Sequence, residues 1–192
     1  MTEKLDVVAL IGSLRRGSYT RQFVHALIKL AEPTRLRIEI VEIGGLPLYN
    51  QDDEEHPPAP WVEFRSRVQR ANAVLFATPE YNRTIPGGLK NAIDVGSRPY
   101  GKSVWQGKPA AVISTSPGAM GAFGANHCLR QSLVFLDMPA LQQPEAYIGG
   151  VDKLVNAAGE ITIPATREFC EKILRSFESW VRLTGDSGAR GL

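Results

Sequence analysis

Hydroxyls and guanidiniums gather at the end of the run Val7 to Thr20, VVALIGSLRRGSYT, where Ser13, Arg15, Arg16, Ser18 and Thr20 stand among small residues. Hydroxyls and guanidiniums are hydrogen-bond donors, and around bare backbone they suit an anion with several acceptor oxygens. The chemistry this points to is phosphate binding. A helix amino terminus adds free N–H groups and the positive end of a dipole. The spacing narrows the kind of phosphate. GSLRRG lacks the G-x-G-x-x-G arrangement that lets a dinucleotide pyrophosphate cross a helix end, and it lacks the lysine of a P-loop. A terminal phosphate monoester remains, beside the plainer reading of a strand-to-helix turn capped by Ser18.

Two further loops share that small or polar character. One is PEYNRTIPGG, from Pro79 to Gly88, and the other is SPGAMGAFGAN, from Ser116 to Asn126. Three glycines in the latter mark a place where backbone comes close to something. Each loop follows an apolar strand, as does the first. In an open α/β sheet, such loops converge outside the carboxyl ends of the strands, where ligands bind. One ligand spanning all three is therefore expected.

Other chemistry-bearing patterns lack the context they need. Gly96 to Ser103, GSRPYGKS, fits the G-x-x-x-x-G-K-[ST] pattern, and LVFLD ending at Asp137 resembles a Walker B run. A P-loop needs a strand before it and a helix after it. Here Gly96 follows a helical pattern and Lys102 leads into Trp105, Gly107 and Pro109, while LVFLD continues a helical pattern from Leu129. His25, His56 and His127 show no metal-ligand spacing. Cys128 and Cys170 are neither a C-x-x-C pair nor a disulfide framework, and both read as buried thiols. The acidic run Asp52 to Glu55 reads as a solvated loop or the border of an acceptor pocket.

The elements that would carry these loops follow from periodicity. Leu5 to Ile11 is continuously apolar, as a buried parallel strand is. A helix is expected over Thr20 to Ala31, with Ser18 or Thr20 as its N-cap and Pro33 ending it, and a strand over Leu36 to Ile43. Leu46 to Pro60 holds four prolines and should be irregular. A helix follows from Trp61 to Asn72, a strand from Ala73 to Thr78, and a helix from Pro86 to Val95. The fourth strand lies within Lys108 to Ser116, then a helix from His127 to Asp137, a fifth strand within Leu141 to Ile148, and a last helix from Pro164 to Leu183. Strands alternating with helices predict an α/β doubly wound parallel sheet.

The chain has 192 residues, 43% hydrophobic and 22% charged, with a formal net charge of +2. That length suits one domain over residues 1–184, followed by a Gly-rich disordered tail over 185–192. The charge is too small to argue for nucleic acid. No apolar stretch reaches the roughly 18 residues of a membrane span, and Met1 to Asp6 is too polar for a signal peptide, so a cytoplasmic protein without membrane insertion is expected.

GSLRRGSYT, PEYNRTIPGGLKNAID and SPGAMGAFGANHCLRQ together resemble the three signatures of the NADPH-dependent FMN reductase family, within the flavodoxin-like proteins. The likeness runs from about Val7 to Ile148 and is nearest to the bacterial quinone and chromate reductase branch. It implies a flavodoxin-like three-layer sandwich with strand order 2-1-3-4-5, assembled as a homodimer or homotetramer. It implies that Ser13, Arg15, Ser18 and Thr20 hold the phosphate of FMN. Thr20 stands where relatives more often have Asn, and its hydroxyl still donates. By the same resemblance Pro79, Glu80, Tyr81 and Asn82 line the isoalloxazine and ribityl chain, and Ser116, Gly118 and Met120 face the pyrimidine edge of the ring. Tyr81 is a candidate for ring packing or for the core, and Glu80 reads as a positioning residue rather than a general acid. Leu89 to Asp94 faces a second subunit or its own sheet, and Arg130 is a candidate for an interface network.

The implied activity passes electrons from NADPH or NADH through bound FMN to a quinone, and extends to chromate, ferric or azo compounds. No catalytic side chain and no metal are needed, because positioning and the cofactor carry the chemistry. Three alternatives stay open: a free-flavin reductase that supplies reduced FMN to a partner, a flavodoxin-like electron carrier, a class that tends to be strongly acidic where this chain is not, and a non-enzymatic redox-sensing regulator.

Overall fold

The computed structural model describes residues 3–185. Five strands and five helices alternate: β1 Leu5–Ile11, α1 Tyr19–Leu30, β2 Leu36–Val41, α2 Ala59–Arg70, β3 Ala73–Thr78, α3 Gly87–Ser97, β4 Ala110–Thr115, α4 Phe123–Phe135, β5 Ala146–Ile148 and α5 Pro164–Gly185. Short 3-10 turns occupy Gln51–Asp53 and Val151–Lys153. The strands form one parallel sheet in the order β2-β1-β3-β4-β5. This is the flavodoxin-like order that the resemblance implies.

Every strand needs both faces covered, because a parallel sheet built by crossover helices has no face left for water. Alternation along β1 shows how the faces are shared. Val7, Ala9 and Ile11 join Phe23 and Leu27 of α1 and Ile173 and Phe177 of α5 in one core. Val8 and Leu10 join Trp61 and Phe64 of α2, Leu89 of α3 and Leu129 and Leu133 of α4 in the other. Register keeps this up across the sheet, with Val7 opposite Ala73 and Val8 opposite Val74. Trp105, fully buried, lies beneath α3 and donates its indole N–H to the Ile93 carbonyl at 2.9 Å.

Most expected elements fall within a residue or two of their places, and three differ in ways that matter. α4 begins at Phe123, not His127. Gly121 and Ala122 take positive φ values of 57° and 60°, which turns the chain early, and the side chains of Ala125 and Asn126 are then buried against the sheet. Glycine and alanine give no periodic signal, so this first turn looks like loop in the sequence. Second, Cys170 is buried, but Cys128 is only half-buried. Third, α5 continues to Gly185, so the expected tail loses its first residue to the helix, and the rest of it lies outside the described residues. GSRPYGKS crosses from the end of α3 into irregular chain before β4, and α4 has ended before Asp137, which takes a φ of 54°. Among the described residues, no helix is long and apolar enough to cross a membrane.

Candidate functional site

At the carboxyl edge of the sheet, the loops after β1, β3 and β4 enclose a cavity of about 140 Å³. Eight residues singled out in the sequence line it: Ser13, Arg15, Ser18, Thr20, Pro79, Glu80, Tyr81 and Ser116. Tyr19, Thr115, Pro117 and Val151 complete the lining. Asn82, Gly118 and Met120 lie outside it; Met120 is 69% exposed. Larger hollows of about 860 and 830 Å³ open at the opposite sheet edge and beside α3 and α4. Size does not single out the functional site, whereas donor chemistry does.

The phosphate-loop residues are positioned by the start of α1. Ser18 is its N-cap, extended at φ −68° and ψ 118°, and its hydroxyl accepts from the Arg21 N–H at 3.1 Å. No acidic residue occupies the first turn of α1, although Asp and Glu are favoured there in ordinary helices. The positive end of the dipole is thus left uncompensated by the chain, which fits an anionic ligand. Ser13 and Thr20 are almost fully buried. The Thr20 and Thr115 hydroxyls share a hydrogen bond of 2.7 Å that ties α1 to the end of β4. Arg15 lies back over the loop, donating to the Gly17 carbonyl at 2.9 Å with its guanidinium carbon 5.3 Å from the centre of the Tyr19 ring. Hydroxyls, a guanidinium and an acid-free helix start fit a phosphate monoester such as that of FMN.

The second loop is a tight hairpin. Tyr81 and Thr84 exchange both backbone hydrogen bonds, each 3.0 Å, and the two residues between them, Asn82 and Arg83, have φ values of 52° and 67°. Left-handed backbone costs a residue with a Cβ about 1 kcal/mol or more. Two tethers hold this hairpin to α4. Glu80 Oε2 accepts from the Ala125 N–H at 3.0 Å, and Thr84 Oγ1 lies 2.8 Å from Cys128 Sγ. The first tether requires a glycine next door, since a Cβ on Gly124 would stand 3.0 Å from both Glu80 Oε2 and the Arg83 carbonyl oxygen. Glu80 therefore acts on backbone, and it does so while lining the cavity.

The third loop is pinned at its start. Ser116 donates its N–H to the Ile148 carbonyl at 2.9 Å and its own carbonyl accepts from the Val151 N–H at 3.2 Å, while its hydroxyl accepts from the Gly118 N–H at 3.0 Å. Beyond the loop Phe123, His127 and Tyr147 cluster, with His127 stacked on Tyr147, the Phe123 ring tilted against His127 at 4.3 Å between centroids, and the Tyr147 hydroxyl 2.9 Å from His127 Nε2. Burial first, and Glu145 second, push the Tyr147 phenol above its ordinary pKa. This cluster joins a helix to a strand, so no spacing rule points to it. Thr115 did leave a signal, as a hydroxyl ending the apolar run of β4. Arg130 turns inward, donating to Asn126 Oδ1 and the Leu141 carbonyl, both at 2.9 Å. Leu89, Ala92 and Ile93 of α3 are buried in their own core, while Lys90 and Asp94 pair at 2.7 Å on its outer side.

Known proteins are similar to this chain in sequence and fold. The NADPH-dependent FMN reductase family model matches residues 5–153. A quinone reductase of Pseudomonas putida is 56% identical over 184 residues, 95% of this chain and 98% of that one. A 2-hydroxy-1,4-benzoquinone reductase of a Burkholderia species is 43% identical over 178 residues, 93% and 97% of the two chains. The solved structure of FerB from Paracoccus denitrificans, a flavoenzyme NAD(P)H:(acceptor) oxidoreductase, superposes with a TM-score of 0.90 at 39% identity, covering 94% of this chain and 98% of that one. On its sheet order, its three-loop cavity and these matches, the chain belongs to the NADPH-dependent FMN reductase family.

Proposed function

We propose that the protein is an FMN-dependent NAD(P)H:quinone oxidoreductase, taking a hydride from the coenzyme and, with one further proton from solvent, returning two electrons and two protons to a quinone as a hydroquinone. The observation that carries this is the meeting of three loops around a cavity whose helix start has hydroxyl donors and no acid. Bound FMN supplies the redox chemistry, accepting hydride and releasing electrons to the acceptor. The chain supplies position. Ser13, Arg15, Ser18 and Thr20 hold the phosphate, Pro79, Glu80, Tyr81 and Asn82 flank the ring and ribityl chain, and Ser116, Gly118 and Met120 meet the pyrimidine edge. N–H groups of the third loop there favour negative charge on the reduced ring.

A second copy of the chain fits the face beside α3 and α4, where Tyr100 and Phe135 line the hollow of about 830 Å³ at 91% and 89% exposure and Val134 of α4 is 80% exposed. Apolar groups gathered this way mark interaction surfaces. One preparation tests the whole reading. The purified protein should be yellow, release FMN on denaturation, keep it through gel filtration and run as a dimer or larger. Anaerobic NADPH should bleach it and a quinone restore the colour. Failure to bind FMN on reconstitution removes the function; a monomeric mass removes only the assembly.

A further inference from the structure

The tip of the second loop carries a residue its backbone does not ask for. A two-residue hairpin with both central residues left-handed favours Asn followed by Gly. Asn82 is present at the first position, but Arg83 occupies the second, at a φ of 67°. The turn is docked, because Glu80 and Thr84 fasten it to α4 from both sides. A docked turn with a disfavoured residue at its tip points to a use for that side chain. Its side chain is 91% exposed and its nearest carboxylate is Glu80 Oε1, at 3.8 Å. That contact is too long and too wet to occupy it. Glu80 lines the cavity, so Arg83 stands at the rim.

Two other cations on this side of the molecule are engaged. Arg21 is bound bidentately to Glu42 at 2.6 and 2.7 Å. Arg15 is folded onto the Gly17 carbonyl and the Tyr19 ring. The coenzyme brings to this rim a charge that FMN does not: NADPH differs from NADH by a 2′-phosphate, a dianion that matches the planar fork of a guanidinium. We propose that Arg83 receives the 2′-phosphate of NADPH and thereby sets the preference for NADPH over NADH. This rests on the oxidoreductase reading above.

The test uses Arg83→Gly in the FMN-loaded enzyme. Glycine is the residue this turn favours, so the variant should melt at or above the wild-type temperature. The ratio of kcat/KM for NADPH over NADH should fall about tenfold to a hundredfold, the value of a lost charge-assisted hydrogen-bond pair, with the loss in KM rather than kcat. Arg83→Lys, which keeps the charge without the fork, should fall between. Calorimetry with 2′,5′-ADP gives a readout free of turnover: its affinity should drop by the same factor, while 5′-AMP binding stays within about twofold. An unchanged coenzyme ratio, equal losses for both coenzymes, a wild type that does not prefer NADPH, or the whole shift appearing instead in Arg16→Gln would overturn the assignment. If the wild type oxidises neither coenzyme, the failure lies in the oxidoreductase reading itself.

Discussion

Replacing Glu80 separates its work as a tether from its charge. Its carboxylate, 19% exposed, accepts from the N–H of Ala125. Ala125 itself is fully buried in the first turn of α4. First-turn N–H groups have no partner within their own helix. In Glu80→Ala this one loses its acceptor in a place that water reaches poorly. Such a loss costs about 1–3 kcal/mol. The ion pair with Arg83 adds nothing measurable, since its 3.8 Å contact involves a side chain that is 91% exposed. A cost of about 2 kcal/mol falls on docking the second loop, and under the proposed function, in which that loop flanks the flavin, FMN binding bears it. A weakening of about 30-fold is expected in the FMN dissociation constant, read by titrating apoprotein against flavin fluorescence. Glu80→Gln keeps an oxygen in the same position, so its affinity should stay within about threefold of wild type. The reasoning is refuted if alanine binds FMN as tightly as glutamate does, or if glutamine falls as far as alanine.

Two further outcomes concern stability and reactivity. In Gly96→Ala the new methyl would meet the Trp105 ring, with Nε1 at 2.6 Å; displacing that buried indole and its bond to Ile93 should cost about 3 kcal/mol and lower Tm by about 6–12 °C in calorimetry, and an unchanged Tm would show that α3 can shift freely. Of the two thiols, Cys170 is buried, and burial raises its pKa to about 12, so a disulfide reagent at mild alkaline pH should label one cysteine per folded chain, with Cys128→Ser abolishing the reaction; labelling of Cys170 without unfolding would contradict the packing of α5.

What the sequence made legible was whatever a chain segment settles by itself. β1, β3 and β4 each bury every residue of their central run against two helix layers, so their apolar continuity was readable, and Ser18 caps α1 because a serine before an amphipathic run does so locally. The three loops could be placed at one sheet edge because parallel crossovers leave no other place for them. What stayed hidden depends on contacts between segments. Glu80 and Ala125 are 45 residues apart, and nothing in PEYNRTIPGG says that its glutamate caps a different helix. The strain at Arg83 is equally invisible, for the sequence shows Asn-Arg where a left-handed pair favours Asn-Gly and gives no reason to expect that pair. The start of α4 was misplaced on the same account, since its first turn is fixed by Gly124 leaving room for Glu80 and by Asn126 reaching Ser114 Oγ at 3.1 Å. The glycines of the third loop therefore serve two neighbours. Gly121 lets the loop backbone approach Tyr147 and Ile148 of β5, where a Cβ would stand 2.7 Å from the Ile148 nitrogen, and Gly124 lets the second loop approach the helix. The second loop and the helix start that closes the third loop hold each other through Glu80 and Gly124, so a change in either is expected to be felt through both.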